Sequence, residues 1–586
     1  MTSSHWVFAA GLNEVRERGC ATAHTESHTL ALFAYGERIY AVDNRCPHMG
    51  FPLKDGSVKD GILTCHWHHA RFDLASGGTF DLWADDVRAF DIEIRGDEIW
   101  VDTALHNHAD AHLHQRLRDG LERNIPLVIA KAVIGMMHQR PDDPAQAYRI
   151  GLDFGTRYRQ SGWGQGLTML TCMMNLLPHL NAEDRPRAMY HGLSAVARDT
   201  ENMAPRFVVQ PLPNATTDVP TLKRWLRPFI EVRDSEGAER CLVSAVRAGA
   251  SQRDLADMLF AAVTDHRYIN VGHPLDFTNK AFEALDRVGW EPALAEQVLA
   301  SLLPGYANAS RMEESNAWRN PIDLIAILDD AFSQLSNTSA KTRTQLDEPA
   351  RQALTDTLLG DAPQASVDAL LAALRAGVSE VELAGGVAYA AAVRIARFHT
   401  SNEFGDWDTA LHTFTFANAV HQGLRRLHGD ADFSIGHTDL LRGVFDAAMS
   451  LYLDRFLNVP AARIPVPNGK LPDALDKLPT LFDKQQQVDA AAEAIAGQLQ
   501  NAANAPAVIA MLGKLLLRED RDFHTIQSVE AAVRQHGLLM SDPTAAAHVL
   551  IATSRYLAAH APTMRAQGQT FNIAQRLAHG EKLFEE

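Results

Sequence analysis

Residues 46–70 read CPHMGFPLKDGSVKDGILTCHWHHA and carry the strongest chemical signal in the chain. Written as metal-binding side chains, the segment gives C-x-H, a spacer of sixteen residues, and C-x2-H. Cys46 and His48 form the first cluster, and Cys65 and His68 form the second. If each cluster lies on a tight loop, one thiolate and one imidazole from each loop reach a common site. The spacing alone fits a Cys2His2 zinc site as well as a two-iron cluster.

This pattern resembles the Rieske iron-sulfur family, in which two cysteines bind one iron of a 2Fe-2S cluster and two histidines bind the other. The resemblance covers residues 1-103 and implies that Cys46, His48, Cys65 and His68 bind the cluster. Imidazole ligands place the reduction potential of such clusters at about -150 to +300 mV, against about -400 mV for plant-type ferredoxins held by cysteine alone. The resemblance therefore implies a one-electron relay of moderate potential.

The loops lack two features of the respiratory branch of that family, namely an extra cysteine in each loop and a serine that hydrogen-bonds a cluster sulfur. Met49 or Phe51 in the first loop, and Trp67 and Ala70 in the second, stand at the corresponding places. Fewer donors to the sulfurs stabilise the reduced cluster less, so we expect a potential near the low end of the range. The loops are similar to those of the ferredoxin and oxygenase branch.

Around the clusters, the first hundred residues read as short alternating strands separated by glycine turns, for example Thr29–Tyr35, Arg38–Val42 and Glu98–Val101. From about Asp119 to Glu586, alanine and leucine at helical spacing dominate. The predicted fold class is α+β and multidomain, with a small all-β domain followed by a large all-α domain.

The predicted domain boundaries are 1-103 for the β domain, 104-120 for a linker and 121-586 for the helical domain. Proline-rich or polar stretches at 209–220, 333–348 and 460–479 interrupt the helices. We therefore expect helical sub-bundles at about 121-335 and 350-586.

Composition excludes several classes of partner. The 586 residues carry 55 basic and 72 acidic side chains, a net charge of -17, with no basic stripe that would follow a nucleic acid. The longest apolar stretches, such as Leu127–Met137 with its internal Lys131, are too short to span a membrane. Five scattered cysteines do not form a disulfide scaffold, and the first residues show no export signal, so we expect a cytoplasmic protein.

An internal repeat is visible in the helical part. Arg247–Ala256 aligns with Arg375–Ala384 at six of ten positions, and further along His273 aligns with His412. Glycine followed by serine stops one helix and caps the next, so each copy predicts a helix hairpin. The two copies predict a pseudo-two-fold helical body with equivalent histidines, although alanine-rich helices also match one another by chance.

A second metal site is a hypothesis. Rieske oxygenases carry a mononuclear iron in a D-x2-H-x4-H segment; this chain lacks that string, so the ligands of those enzymes cannot be transferred to it. We expect His273 and His412 to line a substrate or metal pocket, with His399 and His191 as further members. Asp408, four residues before His412, shares a helix face with it and would orient its imidazole. The alternative for each histidine is a hydrogen-bonded core residue.

These observations favour an oxidoreductase that passes single electrons from the 2Fe-2S cluster to a cofactor, metal or substrate site in the helical domain, for the oxidation or oxygenation of a small organic molecule. An additional non-heme iron fits this prediction. No G-x-G-x-x-G segment opens a nucleotide-binding unit, so the electrons would come from an external reductase or ferredoxin. The alternative is a non-catalytic electron carrier or redox sensor whose helices bind a partner. A helical enzyme without metal, beside a structural cluster, is a third candidate.

Overall fold

The computed structural model describes residues 5–25, 28–103, 109–141, 143–213, 217–338, 344–428, 437–466, 474–581 and 583. The chain forms two compact units. One contains residues 1–150 together with 566–586, and the other contains residues 151–565. In the described part of the chain, no helix is both long and apolar enough to cross a membrane.

The first unit contains three small antiparallel sheets, with strand orders β1-β10-β9, β2-β3-β4-β8 and β5-β6-β7. The strands are β1 Trp6–Gly11, β2 Cys20–His24, β3 Thr29–Tyr35, β4 Arg38–Asp43, β5 Ser57–Lys59, β6 Ile62–Thr64, β7 Arg71–Asp73, β8 Ala89–Phe90, β9 Ile92–Arg95 and β10 Glu98–Asp102. The predicted all-β start of the chain is therefore confirmed.

The first helix lies between β1 and β2, and the other helices follow the strands. In chain order they are α1 Leu12–Arg18, α2 Ala109–Glu122, α3 Pro126–Gln139, α4 Ala145–Arg157, α5 Gln165–Leu176, α6 Arg185–Thr200, α7 Val219–Glu231, α8 Ser235–Arg247, α9 Gln252–Val263, α10 His273–Val288, α11 Pro292–Ala300, α12 Leu303–Ala307, α13 Asn316–Arg319, α14 Leu324–Gln334, α15 Glu348–Leu358, α16 Pro363–Arg375, α17 Glu380–Ala396, α18 Phe404–His428, α19 Leu441–Leu453, α20 Ala474–Phe482, α21 Val488–Gln498, α22 Ala505–Leu517, α23 Phe523–Leu538, α24 Pro543–Ala559 and α25 Ala566–Ala578. The predicted helical remainder is confirmed.

Strand β3 shows how the sequence sets the two cores of the β domain. Its side chains alternate between two faces, as in any strand. Ala31 and Phe33 pack into a cluster that includes Cys46 and Cys65. Leu30 and Leu32 pack into a second cluster on the other face. The thiols of both metal-binding loops thus rest on one core of this domain.

Helices α2, α3 and α25 belong to the same unit as the strands, and α3 packs against both of the others. Residues 104–108 of the predicted linker lie outside the described residues, and α2 begins directly after them. Arg45 ties α25 to the β domain, because its guanidinium donates hydrogen bonds to the carbonyl oxygens of Leu577 (2.8 Å) and Glu581 (3.0 Å). The packing therefore groups residues differently from the boundaries 1-103, 104-120 and 121-586, which stay a prediction.

The second unit is helical, and α18 is its longest helix. Helix α18 packs against both α10 and α23. The contact between α10 and α18 crosses the boundary predicted between sub-bundles, since these helices lie on either side of residues 335–350. The predicted breaks at 209–220 and 333–348 each contain a segment between helices, but the first extends into α7 and the second overlaps the ends of α14 and α15. The third break extends into α20, which contains Pro479.

Both copies of the repeated phrase have the local structure that the sequence predicts. Ser251 caps α9 in a capping box with Asp254, and Ser379 caps α17 in the same way with Glu382. The wider pseudo-two-fold relation remains a prediction.

Candidate functional site

The two predicted metal-binding loops are built alike. In the first, which follows β4, the Cys46 N–H donates to the Phe51 carbonyl at 2.8 Å. In the second, which joins β6 to β7, the Cys65 N–H donates to the Ala70 carbonyl at 2.9 Å. Each loop is thus closed by a hydrogen bond from its cysteine to the fifth residue beyond it. The equivalent closure presents each cysteine and the histidine that follows it in a similar way.

The fourth residue after each cysteine is left-handed, with φ of +85° at Gly50 and +61° at His69. Glycine takes this conformation freely, whereas another residue is strained there by roughly 1–2 kcal/mol. His69 is solvent-exposed, and so is His66, whose ring lies 3.0 Å from the Ser57 hydroxyl. The backbone of His69 therefore forms the turn of the loop, and its ring points to solvent.

The two thiols are adjacent and almost fully buried, with 2% of Cys46 and 1% of Cys65 exposed. The main-chain N–H groups two and three residues after each cysteine donate to its sulfur. The Cys46 thiol also donates to the Cys65 sulfur, which lowers the pKa of Cys65 to about 6 and raises that of Cys46. Sulfurs that accept several N–H donors are stabilised as thiolates, the form that binds metal.

The two loop imidazoles also lie together. The rings of His48 and His68 are 4.8 Å apart between centroids and nearly perpendicular, and Trp83 packs its ring 4.7 Å from His48. The Nδ1 atom of His48 is buried without a hydrogen-bond partner. Burial, His68 and Lys131 lower the pKa of His48 to about 4, so the ring stays neutral. A buried, neutral and unpartnered imidazole nitrogen fits a metal ligand.

The donor set fits two metal ions better than one. Zinc bound by all four residues would bring their ligand atoms within about 4 Å of one another, given metal–ligand bonds of 2.0–2.3 Å. Among the described residues of these loops, no three such atoms lie within 4.8 Å of one another. The two thiols lie together and the two imidazoles lie together, but the four groups do not meet at one point. This arrangement matches a two-iron cluster, in which the thiols bind one iron and the imidazoles bind the other.

A buried ion network supports the first loop. The Lys131 ammonium on α3 donates to the main-chain carbonyls of Pro47 and His48, and it lies 3.0 Å from Asp85. Arg116 on α2 binds the other oxygen of Asp85 at 2.9 Å. Burial raises the pKa of Asp85, but the two cations outweigh it and hold the pKa below its usual value. The one lysine inside the apolar stretch Leu127–Met137 was the sequence signal for this network.

In the helical unit, three histidines from three helices meet. His273 is the first residue of α10, His412 lies in α18, and their Nε2 atoms are 3.3 Å apart. His524 on α23 completes the group, and the ligand atoms of all three lie within 4.8 Å of one another. His191 and His399, which the sequence analysis added to this pocket, are not members of the group.

Asp408 lies beside two of these rings. Its carboxylate is 3.9 Å from His412 Nδ1 and 3.4 Å from His524 Nδ1. The Nδ1–H of His412 donates to the main-chain carbonyl of Asp408 at 2.7 Å. Asp408 and His412 share a face of α18, as their spacing indicates. We refer to His273, His412 and His524 as the histidine triad.

A second polar layer lies one helical turn beyond the triad on the same helices. Asp276, Thr415 and Gln527 each follow a triad histidine by three residues, and both Thr415 and Gln527 hydrogen-bond Asp276. Burial raises the pKa of Asp276 to about 7. The Oδ1 atom of Asp276 and the Oε1 atom of Gln527 are buried without hydrogen-bond partners.

A third layer is ionic and leads to a cavity. The Lys280 ammonium contacts Glu530 at 2.6 Å and Glu283 at 2.9 Å, and Asn175 donates to both carboxylates. A cavity of about 510 Å³ adjoins this layer, lined by four arginines and two acids: Arg287, Arg425, Arg426, Arg534, Glu283 and Asp286. Its positive lining would favour an anionic molecule.

Comparison with known proteins bears on the loops. The sequence profile of the Rieske [2Fe-2S] domain matches residues 5–88. The chain is 28% identical over 98 residues to the ferredoxin component of a naphthalene 1,2-dioxygenase system from Pseudomonas aeruginosa, over 17% of this chain and 94% of that relative. It is 30% identical over 98 residues to a 3-phenylpropionate/cinnamic acid dioxygenase ferredoxin subunit from Shigella boydii, over 16% of this chain and 92% of that relative.

Among solved structures, the ferredoxin of carbazole 1,9a-dioxygenase from Nocardioides aromaticivorans matches at 26% identity, over 17% of this chain and 98% of that chain, with a TM-score of 0.16. The similar ferredoxins match the N-terminal segment alone. The matches cited here do not extend into the helical unit, so the chemistry of that unit is inferred from its own residues.

Proposed function

The chain belongs to the Rieske family through its N-terminal domain, and on that premise we propose that it is an oxidoreductase that passes single electrons to an acceptor in its helical unit. The observation that carries the proposal is the pair of equivalent loops, with two adjacent thiols and two adjacent imidazoles. Cys46 and Cys65 would hold one iron of the cluster, and His48 and His68 the other. When bound, a 2Fe-2S cluster supplies one-electron transfer at moderate potential.

The protein groups around the loops have defined tasks in this proposal. The main-chain N–H groups that face the sulfurs stabilise their negative charge. Lys131 holds the carbonyls of the first loop and places a positive charge beside His48, which favours the reduced state. Trp83 and the apolar core beneath the thiols exclude water. The exposed ring of His68 marks the face where electrons would enter or leave.

The acceptor we propose lies at His273 and His412, with Asp408 as a positioning residue. The reaction would be oxidation or oxygenation of a small organic molecule, since the similar ferredoxins are named as components of dioxygenase systems. An external reductase or ferredoxin would supply the electrons. None of the five cysteines is in a disulfide, which fits a reducing compartment such as the cytoplasm.

A non-catalytic electron carrier is the second candidate, because the similar proteins cited above are ferredoxins. In that case the helical unit would bind a partner protein instead of a substrate. The two candidates differ in a simple respect. An enzyme consumes electrons from its own cluster in the presence of oxygen and substrate, whereas a carrier passes them only to a partner.

The first test is iron and acid-labile sulfide per chain in protein purified without oxygen, together with electron paramagnetic resonance of the reduced cluster. We expect at least two irons and two sulfides, and loss of the sulfide and the signal in Cys65→Ser. Cys20→Ser changes a half-buried cysteine outside both loops and should keep the cluster. One zinc per chain without sulfide in the wild-type protein would contradict the proposal.

A further inference from the structure

We propose that His273, His412 and His524 form a three-histidine site for a divalent transition metal, and that this metal is iron in the working protein. The role of the iron as electron acceptor rests on the function proposed above, whereas the existence of the site does not. No sequence pattern groups His524 with the other two, because the repeat pairs only His273 with His412. The packing of α10, α18 and α23 brings all three together.

The distances fit one bound ion. A metal–imidazole bond is about 2.0–2.1 Å long, so two nitrogens bound to one ion at an angle near 100° lie about 3.2 Å apart. The Nε2 atoms of His273 and His412 are 3.3 Å apart. Ligand atoms of all three rings fall within 4.8 Å of one another, so small rotations of His524 suffice to complete the set.

The orientation of the rings also fits. A metal-binding histidine commonly uses its second ring nitrogen to donate to a carboxylate or carbonyl, which fixes the tautomer and directs the other nitrogen at the metal. His412 donates from Nδ1 to the Asp408 carbonyl, and His524 turns its Nδ1 towards the Asp408 carboxylate. The Nε2 atom of His524 is then left buried without a hydrogen-bond partner. One aspartate thus orients two rings, with the Nε2 of His412 facing the Nε2 of His273 and the Nε2 of His524 unpartnered.

The surroundings restrict the site without closing it. Phe277 and Phe523 pack on the ring of His273 at centroid distances of 5.7 and 5.3 Å. Three protein ligands leave at least one coordination position for water, oxygen or substrate. The ligands are neutral, so the site keeps the full charge of the ion. This set differs from the two-histidine, one-carboxylate arrangement of many non-heme iron oxygenases, since Asp408 lies behind the rings.

Iron is the metal we propose, because it can accept single electrons from the cluster on the same chain. Zinc, nickel and copper also bind imidazole, and zinc has no redox chemistry. A one-electron donor on the same chain requires an acceptor that changes its charge by one. Iron and copper both do so with imidazole ligands, and iron is the metal that the proposed cluster on the same chain already requires.

The experiment compares the metal content of the full-length protein with that of two triad variants and one control variant. Protein prepared without oxygen is loaded with Fe²⁺, dialysed and assayed for iron and sulfide. We expect three irons and two sulfides per chain in the wild type, and two irons with two sulfides in His524→Gln and in His412→Gln. His421→Gln is the matched control, because His421 is a buried histidine of α18 outside the triad, bonded to Gln535. It should keep three irons.

Reconstitution with Co²⁺ gives a second readout that does not depend on activity. The wild type and His421→Gln should show the visible ligand-field bands of protein-bound Co²⁺, and His524→Gln should lose them. Circular dichroism melting identifies any variant that fails to fold, and the second triad variant then decides. Equal Fe²⁺ and Co²⁺ binding in the wild type and both triad variants would overturn the site, and retention of zinc alone after iron loading would overturn the choice of metal.

These outcomes separate the site from the function. Three irons per chain with a cluster that never delivers its electron to the third iron would refute the proposed electron transfer and leave the metal site intact. Two irons and two sulfides after loading would refute the metal site and leave the cluster intact.

Discussion

Removal of the Asp85 charge tests how the first loop is held. Asp85→Asn leaves the cations of Lys131 and Arg116 buried without their shared carboxylate. Loss of one partner from a buried ion network costs about 3–5 kcal/mol, and the side chain of Asp85 is 18% exposed, so we take the lower end, about 3 kcal/mol. With an unfolding slope of about 2 kcal/mol/M, the urea midpoint should fall by about 1.5 M.

The assay is urea unfolding followed by the visible circular dichroism of the cluster, which reports on the first unit alone. Asp86→Asn is the control, because the ion pair of Asp86 with the exposed His112 at 3.7 Å is worth less than about 1 kcal/mol, and an asparagine oxygen can still accept the Thr79 N–H that Asp86 accepts at 2.8 Å. The lowered pKa of Asp85 also sets a pH window. The contribution of Asp85 to the free energy of unfolding is complete above its unfolded-state pKa of about 3.9 and is lost as pH falls through its lowered folded-state pKa. Equal midpoints for Asp85→Asn and Asp86→Asn would refute the reasoning.

Two further predictions concern the helical unit. Lys280→Met removes the buried cation between Glu283 and Glu530 and leaves them with the partly exposed Arg534, at 3.3 and 3.6 Å, so this unit should lose about 3 kcal/mol in calorimetry. Lys514→Met, at an exposed site, should change the stability by less than about 1 kcal/mol, and similar effects of the two variants would contradict the buried network. Glu380 has a pKa of about 2, because hydrogen bonds from histidine and threonine neighbours outweigh the effect of its burial. Its contribution to the free energy of unfolding is therefore complete above the unfolded-state pKa of about 4.3 and is lost as pH falls through the folded-state pKa of about 2. Urea midpoints between pH 5 and 3 should therefore fall less steeply in Glu380→Gln, and an unchanged slope would show that this carboxylate does not set the acid stability.

The sequence predicted the parts of the fold that depend on local pattern. Alternation of side chains in Thr29–Tyr35 and the glycine turn after it specify a hairpin, and the structure forms β3 and β4 there. The change to alanine and leucine at helical spacing specified the helical remainder. The cysteines and histidines of the loops were recognisable because the chemistry requires those residue types at short, fixed spacing.

The parts that depend on long-range packing were not predictable. His524 lies far along the chain from His273 and His412, and no local pattern links it to them. His399 was expected as a further member of the pocket. The structure instead ends α17 at Ala396 and starts α18 at Phe404, so His399 lies between helices and donates its N–H to the Asn402 side chain.

The hydrogen bonds from Arg45 to α25 have a consequence for biosynthesis. Arg45 directly precedes the first cluster cysteine, yet its partners at Leu577 and Glu581 are synthesised after all of residues 151–565. At 5–20 residues per second, a ribosome needs roughly 20–80 s to translate that interval. The cluster-bearing unit therefore stays structurally incomplete while the whole helical unit is made. Any insertion of iron and sulfide during that time would act on a unit in which Arg45, beside the first cluster cysteine, still lacks its hydrogen-bond partners.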